Sequence, residues 1–361
     1  MSTSLLNSLM DPASAPTSLL EQELVQQGSV LASRAPIAAT AAGAAAEVIG
    51  HPSVDYLLIA ARGSSDNAAR FAQYALGAEA RLNVALAAPS LFAEPEQAPD
   101  LRGAAVLGIS QSGQSPDIVG VLATGRLQGR PTIALTNDEH SPLAAMAEVV
   151  VPLATGPERS VAATKTYIAS LHAIEQIIER LRPDAERARW LERLPSLVEE
   201  AVGEQLARRS DFDALDGATV LTTVGRGLDF STAHETALKV RELSAMVTEA
   251  FSPADLLHGP VAALRGDGAL WVVDTRPRLD EAVATLLERV RDRGIQTVLV
   301  SRQVPPSAAG ALHISLPTDA PHWVATILAL PPGQVAALHL ASRRGVDLDH
   351  PHGLTKVTLT H

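Results

Sequence analysis

Of the 29 lysine and arginine residues in this chain, only three are lysines, and each sits in a short polar motif. Lys165 follows Val161-Ala162-Ala163-Thr164, Lys239 ends Ala237-Leu238-Lys239, and Lys356 lies within Leu354-Thr355-Lys356-Val357-Thr358. Arginine meets generic demands for a surface cation, whereas a lysine ammonium is compact and can lose its proton when desolvated. The retained lysines are therefore candidates for chemistry. Glu235, Lys239 and Glu242 recur at spacings of four and three, which puts them on one helix face. A solvated ion-pair ladder has the same spacing but contributes little to stability and has no need of lysine. His258 follows in a Gly-Pro loop, Leu257-His258-Gly259-Pro260. A carboxylate, a histidine and two lysines in one site could open a sugar ring and move a proton between adjacent carbons.

Two serine-bearing segments add a binding function. Ser64 and Ser65 follow Arg62-Gly63, and Ser110-Gln111-Ser112-Gly113-Gln114-Ser115 precedes Pro116. Hydroxyls and helix-start amides can converge on a dianion without a lysine, and Gly113 permits close approach. Helix capping explains any one serine, but five serines in two aligned loops favour a phosphate. His350-Pro351-His352 with Asp347 and Asp349 is the one ligand-like cluster, and it is read as shaping the tail. No metal or organic cofactor is expected.

These residues must be positioned by an α/β frame. Ser18 and Glu21 have capping-box spacing, and residues 32 to 49 form an Ala-rich helix. Short apolar runs then end in Gly or small polar residues: Tyr56 to Ala61, Ala104 to Ile109 and Thr132 to Leu135. Helical stretches, Asn67 to Leu76 and Pro116 to Leu127, separate them, as in a parallel sheet with covering helices. The order recurs in Thr219 to Val224, Ala269 to Asp274 and Thr297 to Val300. Gly63 with Gly225, Gly108 with Val272 and Ile133 with Val298 give offsets of 162, 164 and 165, the mark of a duplicated unit. The second copy replaces the serine loop by Asp274-Thr275-Arg276-Pro277, so one phosphate site per chain is expected. Gly225-Arg226-Gly227 lacks the third glycine of a dinucleotide fingerprint. The expected organisation is an N-terminal tail and helix over 1–31, a first doubly wound domain over 32–181, a helical connector over 182–216, a second domain over 217–345 and a C-terminal tail over 346–361.

Composition sets further bounds. The chain has no cysteine, which excludes disulfides, thiolate metal sites and a thiol nucleophile. A net charge of -11 without a basic cluster argues against a nucleic-acid partner. Met1 to Pro16 reads as a loose tail rather than a signal peptide. No run approaches the roughly 20 apolar residues of a membrane span, so a soluble cytoplasmic protein without membrane contact is expected.

From about Ala39 to His361 the chain resembles the sugar isomerase (SIS) domain family in its tandem form. The motifs carrying the resemblance are Gly63-Ser64-Ser65-Asp66, the Ser110 to Asp117 loop, Val161 to Lys165, Ala237-Leu238-Lys239 with Glu242, Leu257 to Pro260 and Leu354 to Thr358. Within the family the chain is most similar to the isomerase half of glucosamine-6-phosphate synthases and to the stand-alone SIS-type glucosamine-6-phosphate deaminases. The resemblance implies two tandem flavodoxin-like domains. It implies phosphate binding by Ser110, Gln111, Ser112 and Ser115, with Ser64, Ser65 and Val161 to Ala163 lining the sugar. Glu242 would carry the proton between C2 and C1, His258 would open the ring, Lys356 would approach the C1 and C2 oxygens, and Lys239 would support the site. It also implies a homodimer in which the His258 loop enters the neighbouring site. Gln114, Ser115 and Ala163 follow the deaminase-like pattern, while Arg62 stands where a small residue or cysteine is common. The expected reaction is glucosamine 6-phosphate plus water to fructose 6-phosphate plus ammonia. The alternatives are an isomerase or deaminase of another amino-sugar or fructosamine phosphate, and a non-catalytic phosphosugar sensor. Without a cysteine, ammonia is not expected to come from glutamine by the synthases' thiol route.

Overall fold

The computed structural model describes residues 18–94 and 96–350, together with Gly353 and Lys356. The stretch read as a loose tail, 1–16, and the Leu354-Thr355 and Val357-Thr358 parts of the last motif lie outside the described residues. Two helices lead in, α1 (Leu19–Val25) and α2 (Gln27–Ile49). Ser18 caps α1 by accepting the Glu21 amide at 3.2 Å, as the capping spacing predicts.

The first half is a five-stranded sheet in the order β2-β1-β3-β4-β5, all parallel. Its strands are β1 (Tyr56–Ala61), β2 (Asn83–Leu86), β3 (Ala104–Ile109), β4 (Thr132–Thr136) and β5 (Val149–Pro152). Covering helices are α3 (Ser64–Ala75), α4 (Pro116–Leu127) and α5 (Lys165–Leu181). α6 (Ala185–Ala207) joins the halves. The second half repeats the topology with β6 (Val220–Val224), β7 (Val247–Phe251), β8 (Gly268–Asp274), β9 (Gln296–Ser301) and β10 (Leu312–Ser315), in the order β10-β9-β8-β6-β7. Its helices are α7 (Leu228–Ser244), α8 (Pro253–Leu257), α9 (Glu281–Val290), α10 (His322–Leu328) and α11 (Leu330–Arg343). Both orders are flavodoxin-like, so ligand sites are expected beyond the carboxyl ends of the strands.

Strand register corrects one sequence pairing. Tyr56 lies opposite Ala104 as Val220 lies opposite Gly268, an offset of 164 for both strands. Gly63 therefore corresponds to Gly227, not Gly225, and both take positive φ, 56° and 66°, to start α3 and α7. Gly225 instead makes the turn in which a Cβ would come within 2.2 Å of the Asp229 carbonyl. The Arg-Gly pair, not the Gly-x-Gly pattern, is the repeated unit. β2, β5, β7 and β10 escape the sequence reading because they are four or five residues long and at least half of each is exposed or half-buried.

The outer faces of the sheets pack into separate apolar clusters, whereas the inner faces share one core that spans both halves. The α6 connector belongs to that core. Trp190, Leu194, Val198 and Val202 recur every four residues and form its buried stripe. Arg187 at its start forms ion pairs with Glu175 of α5 and Glu79, and its guanidinium lies 5.4 Å over the ring of Trp323 in α10. These contacts clamp the first half to the second. The stretch His322–Arg343 is long and apolar enough to cross a membrane, a length that the sequence reading missed, yet its apolar part, Trp323 to Ala341, is buried inside the protein as a core element.

α7 is held against α11 where Gly333 faces Thr236, and a Cβ on Gly333 would lie 2.4 Å from the Thr236 hydroxyl. Gly333→Ala is expected to destabilise the chain by about 1–3 kcal/mol through this overpacking. Thermal unfolding of the two proteins side by side checks it, with a lower Tm for the variant.

Candidate active site

α3 and α7 each follow the first strand of their half and pack on one another across the boundary. On α7, Glu235 and Lys239 are each 1% exposed. The buried pair rules out a solvated ladder. Ser64, in the first turn of α3, donates its hydroxyl to Glu235 Oε1 at 2.9 Å, and Asn67 Nδ2 donates to Oε2 at 2.7 Å. Lys239 Nζ lies 3.5 Å from Glu235 and donates to Glu242 Oε2 at 2.6 Å. Burial pushes the Glu235 carboxyl above the usual carboxylate range, and Lys239, Asn67 and Ser64 offset this only in part. Burial acts to lower Lys239, but attraction to Glu235 and Glu242 outweighs it and raises the ammonium above its ordinary value. Lys239 thus stays charged and fixes Glu242, whose side chain is 28% exposed at the open end of the chain.

Lys356 reaches the same neighbourhood from the C-terminal region and donates to Glu158 Oε2 at 2.7 Å. Glu158, in the loop after β5, also accepts the amides of Thr164 and Thr166 at 2.9 and 3.1 Å and the Thr166 hydroxyl at 2.8 Å. Burial acts to raise this carboxyl, but Lys356 and the amides overcome it and hold Glu158 below the usual range. Lys239 also feels the Glu158 charge. Two lysines and three carboxylates therefore share one electrostatic neighbourhood.

Lys165 supports this arrangement from behind. Its Nζ donates to Gln26 Oε1 at 3.0 Å and the Pro157 carbonyl at 2.9 Å, 3.8 Å from Glu23. Glu23 in turn accepts the amides of Arg159 and Ser160. The contacts of Lys165 thus fasten the loop holding Glu158, Val161 and Ala163 to α1, and its side chain is 4% exposed.

The serine loop leaves the end of β3. Ser110 accepts the Gly113 amide at 3.1 Å and Ser112 accepts the Gln114 amide at 3.3 Å. The Gln111 carbonyl ties the loop to Asn137 after β4 at 3.1 Å. Gly113 has φ 61°, and a Cβ there would lie 2.1 Å from the Ser141 hydroxyl. Ser115 occupies the N-cap of α4, yet its hydroxyl makes no cap bond. Capping thus leaves this serine unexplained. Ser65 lies beside Ser64 in the first turn of α3, while the Ser64 hydroxyl is committed to Glu235. In the second half the corresponding loop is filled from within. The buried Asp274 carboxylate accepts the Asp280 amide at 2.7 Å and binds Arg276 at 2.9 Å. An internal carboxylate stands at the β-strand end where the first half has Ser110, in keeping with one anion site per chain.

His258 is not brought to these residues. It lies exposed at the end of α8, and among the described residues its ring has no hydrogen-bond or ion-pair partner. The cluster read as tail-shaping is tied down: Asp347 accepts the amides of Asp349 and His350 at 3.0 Å, and Asp349 accepts the Leu19 amide at 2.8 Å; His352 lies outside the described residues. Sequence reasoning did not choose Glu235 and Glu158 as site residues. Glu235 carried a signal, its i,i+4 spacing to Lys239, whereas Glu158 sits in an irregular loop without one.

The SIS domain model matches residues 53–180 and 217–341. A glutamine–fructose-6-phosphate aminotransferase (isomerizing) from Bradyrhizobium diazoefficiens is 30% identical over 319 residues, 84% of this chain and 52% of that protein. The chain thus spans about half the length of the curated relatives it matches. The C-terminal domain of a glucosamine-fructose-6-phosphate aminotransferase from Francisella tularensis superposes with a TM-score of 0.82 at 22% identity, covering 95% of this chain and 100% of the other. A glucosamine-6-phosphate deaminase from Thermotoga maritima has a TM-score of 0.74 at 19% identity, with the same coverages of 95% and 100%. At these identities the two structures establish the shared fold. The two matched stretches, each a complete parallel sheet with its helices, make this chain a member of the SIS domain family, with the domain present twice.

Proposed function

We propose that the chain is a phosphosugar aldose-ketose isomerase and deaminase, acting on glucosamine 6-phosphate and water to give fructose 6-phosphate and ammonia. The observation that carries this reading is the buried relay Ser64–Glu235–Lys239–Glu242, which joins the serine-loop half to the acid-base half. A phosphosugar sensor has use for the loop but no evident use for a carboxylate held by a buried ammonium. The names and activities of the relatives are consistent with a phosphosugar substrate.

In this proposal, Ser110, Gln111, Ser112 and Ser115 with the α4 amides hold the phosphate. Ser65, Val161 and Ala163 line the sugar. Ring opening moves the C1 hydroxyl proton away and returns one to the ring oxygen, the task proposed for His258. The Glu242 carboxylate then takes the C2 proton from the open-chain aldehyde and delivers it to C1, while the amino nitrogen gives up one proton and the C1 oxygen gains one, leaving a C1 hydroxyl and an imine at C2. Water adds to that carbon, the C–N bond breaks, and ammonia leaves with the ketose. Lys356, held beside Glu158, is the group proposed to stabilise negative charge on the C1 oxygen. Lys239 holds Glu242 in place until substrate arrives. His258 is remote from its own chain's relay, which supports a homodimer in which each copy lends its histidine loop to the other.

Equal release of ammonia and fructose 6-phosphate from glucosamine 6-phosphate is the expected result; a folded protein releasing neither overturns the deaminase assignment. Glu242→Gln should lower kcat by roughly 10²- to 10⁴-fold while phosphosugar binding persists; unchanged turnover sinks the role given to Glu242. Glu235→Gln keeps the shape but leaves Lys239 with one fewer carboxylate, and its kcat should fall roughly ten-fold or more with KM little altered. For the dimer, Glu242→Gln and His258→Ala chains refolded together should regain about a quarter of wild-type activity, because half the dimers are mixed and one of their two sites is intact. No recovery in mixed dimers would place His258 in its own chain's site or outside the chemistry.

A further inference from the structure

Arg62 is unused by the reaction described above, yet it stands at the mouth of the serine loop. It ends the first β-strand turn immediately before Gly63 and Ser64. Its Nε donates to Asp117 Oδ2 at 2.8 Å, and Asp117 lies in the first turn of α4, two residues after Ser115. The Arg62 side chain is 52% exposed, whereas Asp117 is 10% exposed. As an ion pair this contact contributes little to stability. As an orienting contact it does more: Nε is anchored to the helix whose N-terminus faces the loop, and among the described residues Nη1 and Nη2 have no partner.

The duplicated half shows what an arginine at this position reaches. Arg226, at the same offset of 164 and also directly before a positive-φ glycine, places Nη1 3.1 Å from Asp280, the N-cap of α9. There Asp280 and the loop carboxylate Asp274 are bridged by Arg276. In both halves, then, the arginine before the glycine spans to the start of the helix after the third strand. In the second half that place is satisfied by internal carboxylates. In the first half the serine loop offers hydroxyls and amides without a charged partner for a dianion.

We infer that Arg62 is a specificity-determining ligand of the substrate phosphate, with Asp117 as its positioning residue. Nε stays on Asp117 while the two Nη groups present a planar fork toward the anion. This rests on the phosphate being held by the serine loop, as proposed above. It supplies the one full positive charge that the loop lacks, and favours phosphorylated over neutral sugars.

The test is calorimetric binding of inorganic phosphate and of glucosamine 6-phosphate to the full chain. Wild type is compared with Ser112→Ala/Ser115→Ala, Arg62→Ala, Arg62→Lys and Asp117→Asn, with a thermal melt of each. Arg62→Ala should weaken both ligands about ten- to a hundred-fold, the loss of one charged hydrogen-bonding group, and make binding less sensitive to salt. Arg62→Lys should recover part of the affinity, and Asp117→Asn should cost less than Arg62→Ala. If the double serine variant is weakened but Arg62→Ala binds as wild type, the role of Arg62 is overturned and the serine-loop reading stands. If the double serine variant binds phosphate normally, both fall together. Equal loss in Arg62→Ala and Arg62→Lys with a depressed Tm assigns the arginine to structure and overturns the inference.

Discussion

A carboxylate buried between the two halves sets the terms for the rest of the molecule. Glu235 sits where water cannot reach it, and an isolated charge there costs several kcal/mol. Three groups compensate: Ser64 and Asn67 from α3, and Lys239 from its own helix. Two of the three belong to the other half, so separating the halves strips the carboxylate of its neutral donors. Removing a single partner from such a group is more damaging than replacing the whole set, because it leaves charge buried and unpaired. The arrangement requires α3 to begin at Ser64, which the positive φ of Gly63 permits. It also requires α7 to stay pressed against α3, which the close approach of α11 at Gly333 enforces from behind. The shared inner core is the apolar side of the same constraint.

Duplication explains why this constraint is asymmetric. The two sheets have the same strand order and nearly constant offset, so each has a loop and a helix start at the end of its third strand. The second half places Asp274 there and closes it with Arg276 and Asp280. That half contributes α7, which carries the buried Glu235 and Lys239. The first half keeps the serines and contributes its α3 to hold the buried carboxylate. Division of labour between copies follows from filling one loop with its own charge.

Much of this is legible in the sequence. β1 and β3 end at the residues where their apolar runs end, and the Pro116 to Leu127 helix is reproduced. The spacing of Glu235, Lys239 and Glu242 put them on one face, and that face is where they meet. Spacing alone could not say whether the face was wet or dry, and dryness is what turns a weak ladder into a fixed relay. Glu158 was invisible for a different reason: its value comes from amides of Thr164 and Thr166 presented by an irregular turn, a tertiary arrangement with no periodicity. The halves read as separable domains because strand order is local, whereas the merged core depends on the buried stripe of α6, whose charged remainder reads as a linker.

The distribution of lysine and arginine follows from the shapes of the gaps they fill. Arg187 bridges Glu175 and Glu79, and Arg276 bridges Asp274 and Asp280; each case has two acceptors spread widely enough for a planar fork. Lys239 meets Glu242 at 2.6 Å and Glu235 at 3.5 Å on its own helix, in a space where its side chain is 2% exposed. A lysine ammonium meets both from one compact point, whereas a guanidinium spreads its donors over a planar fork. Lys165 answers a similar demand, with a carbonyl, an amide oxygen and a carboxylate around one point. It has no place in the proposed chemistry. Lys239 and Lys165 thus each stand where several acceptors surround one buried point. The rarity of lysine therefore points to one neighbourhood, and Lys165 belongs to it as a fastening of the Glu158 loop.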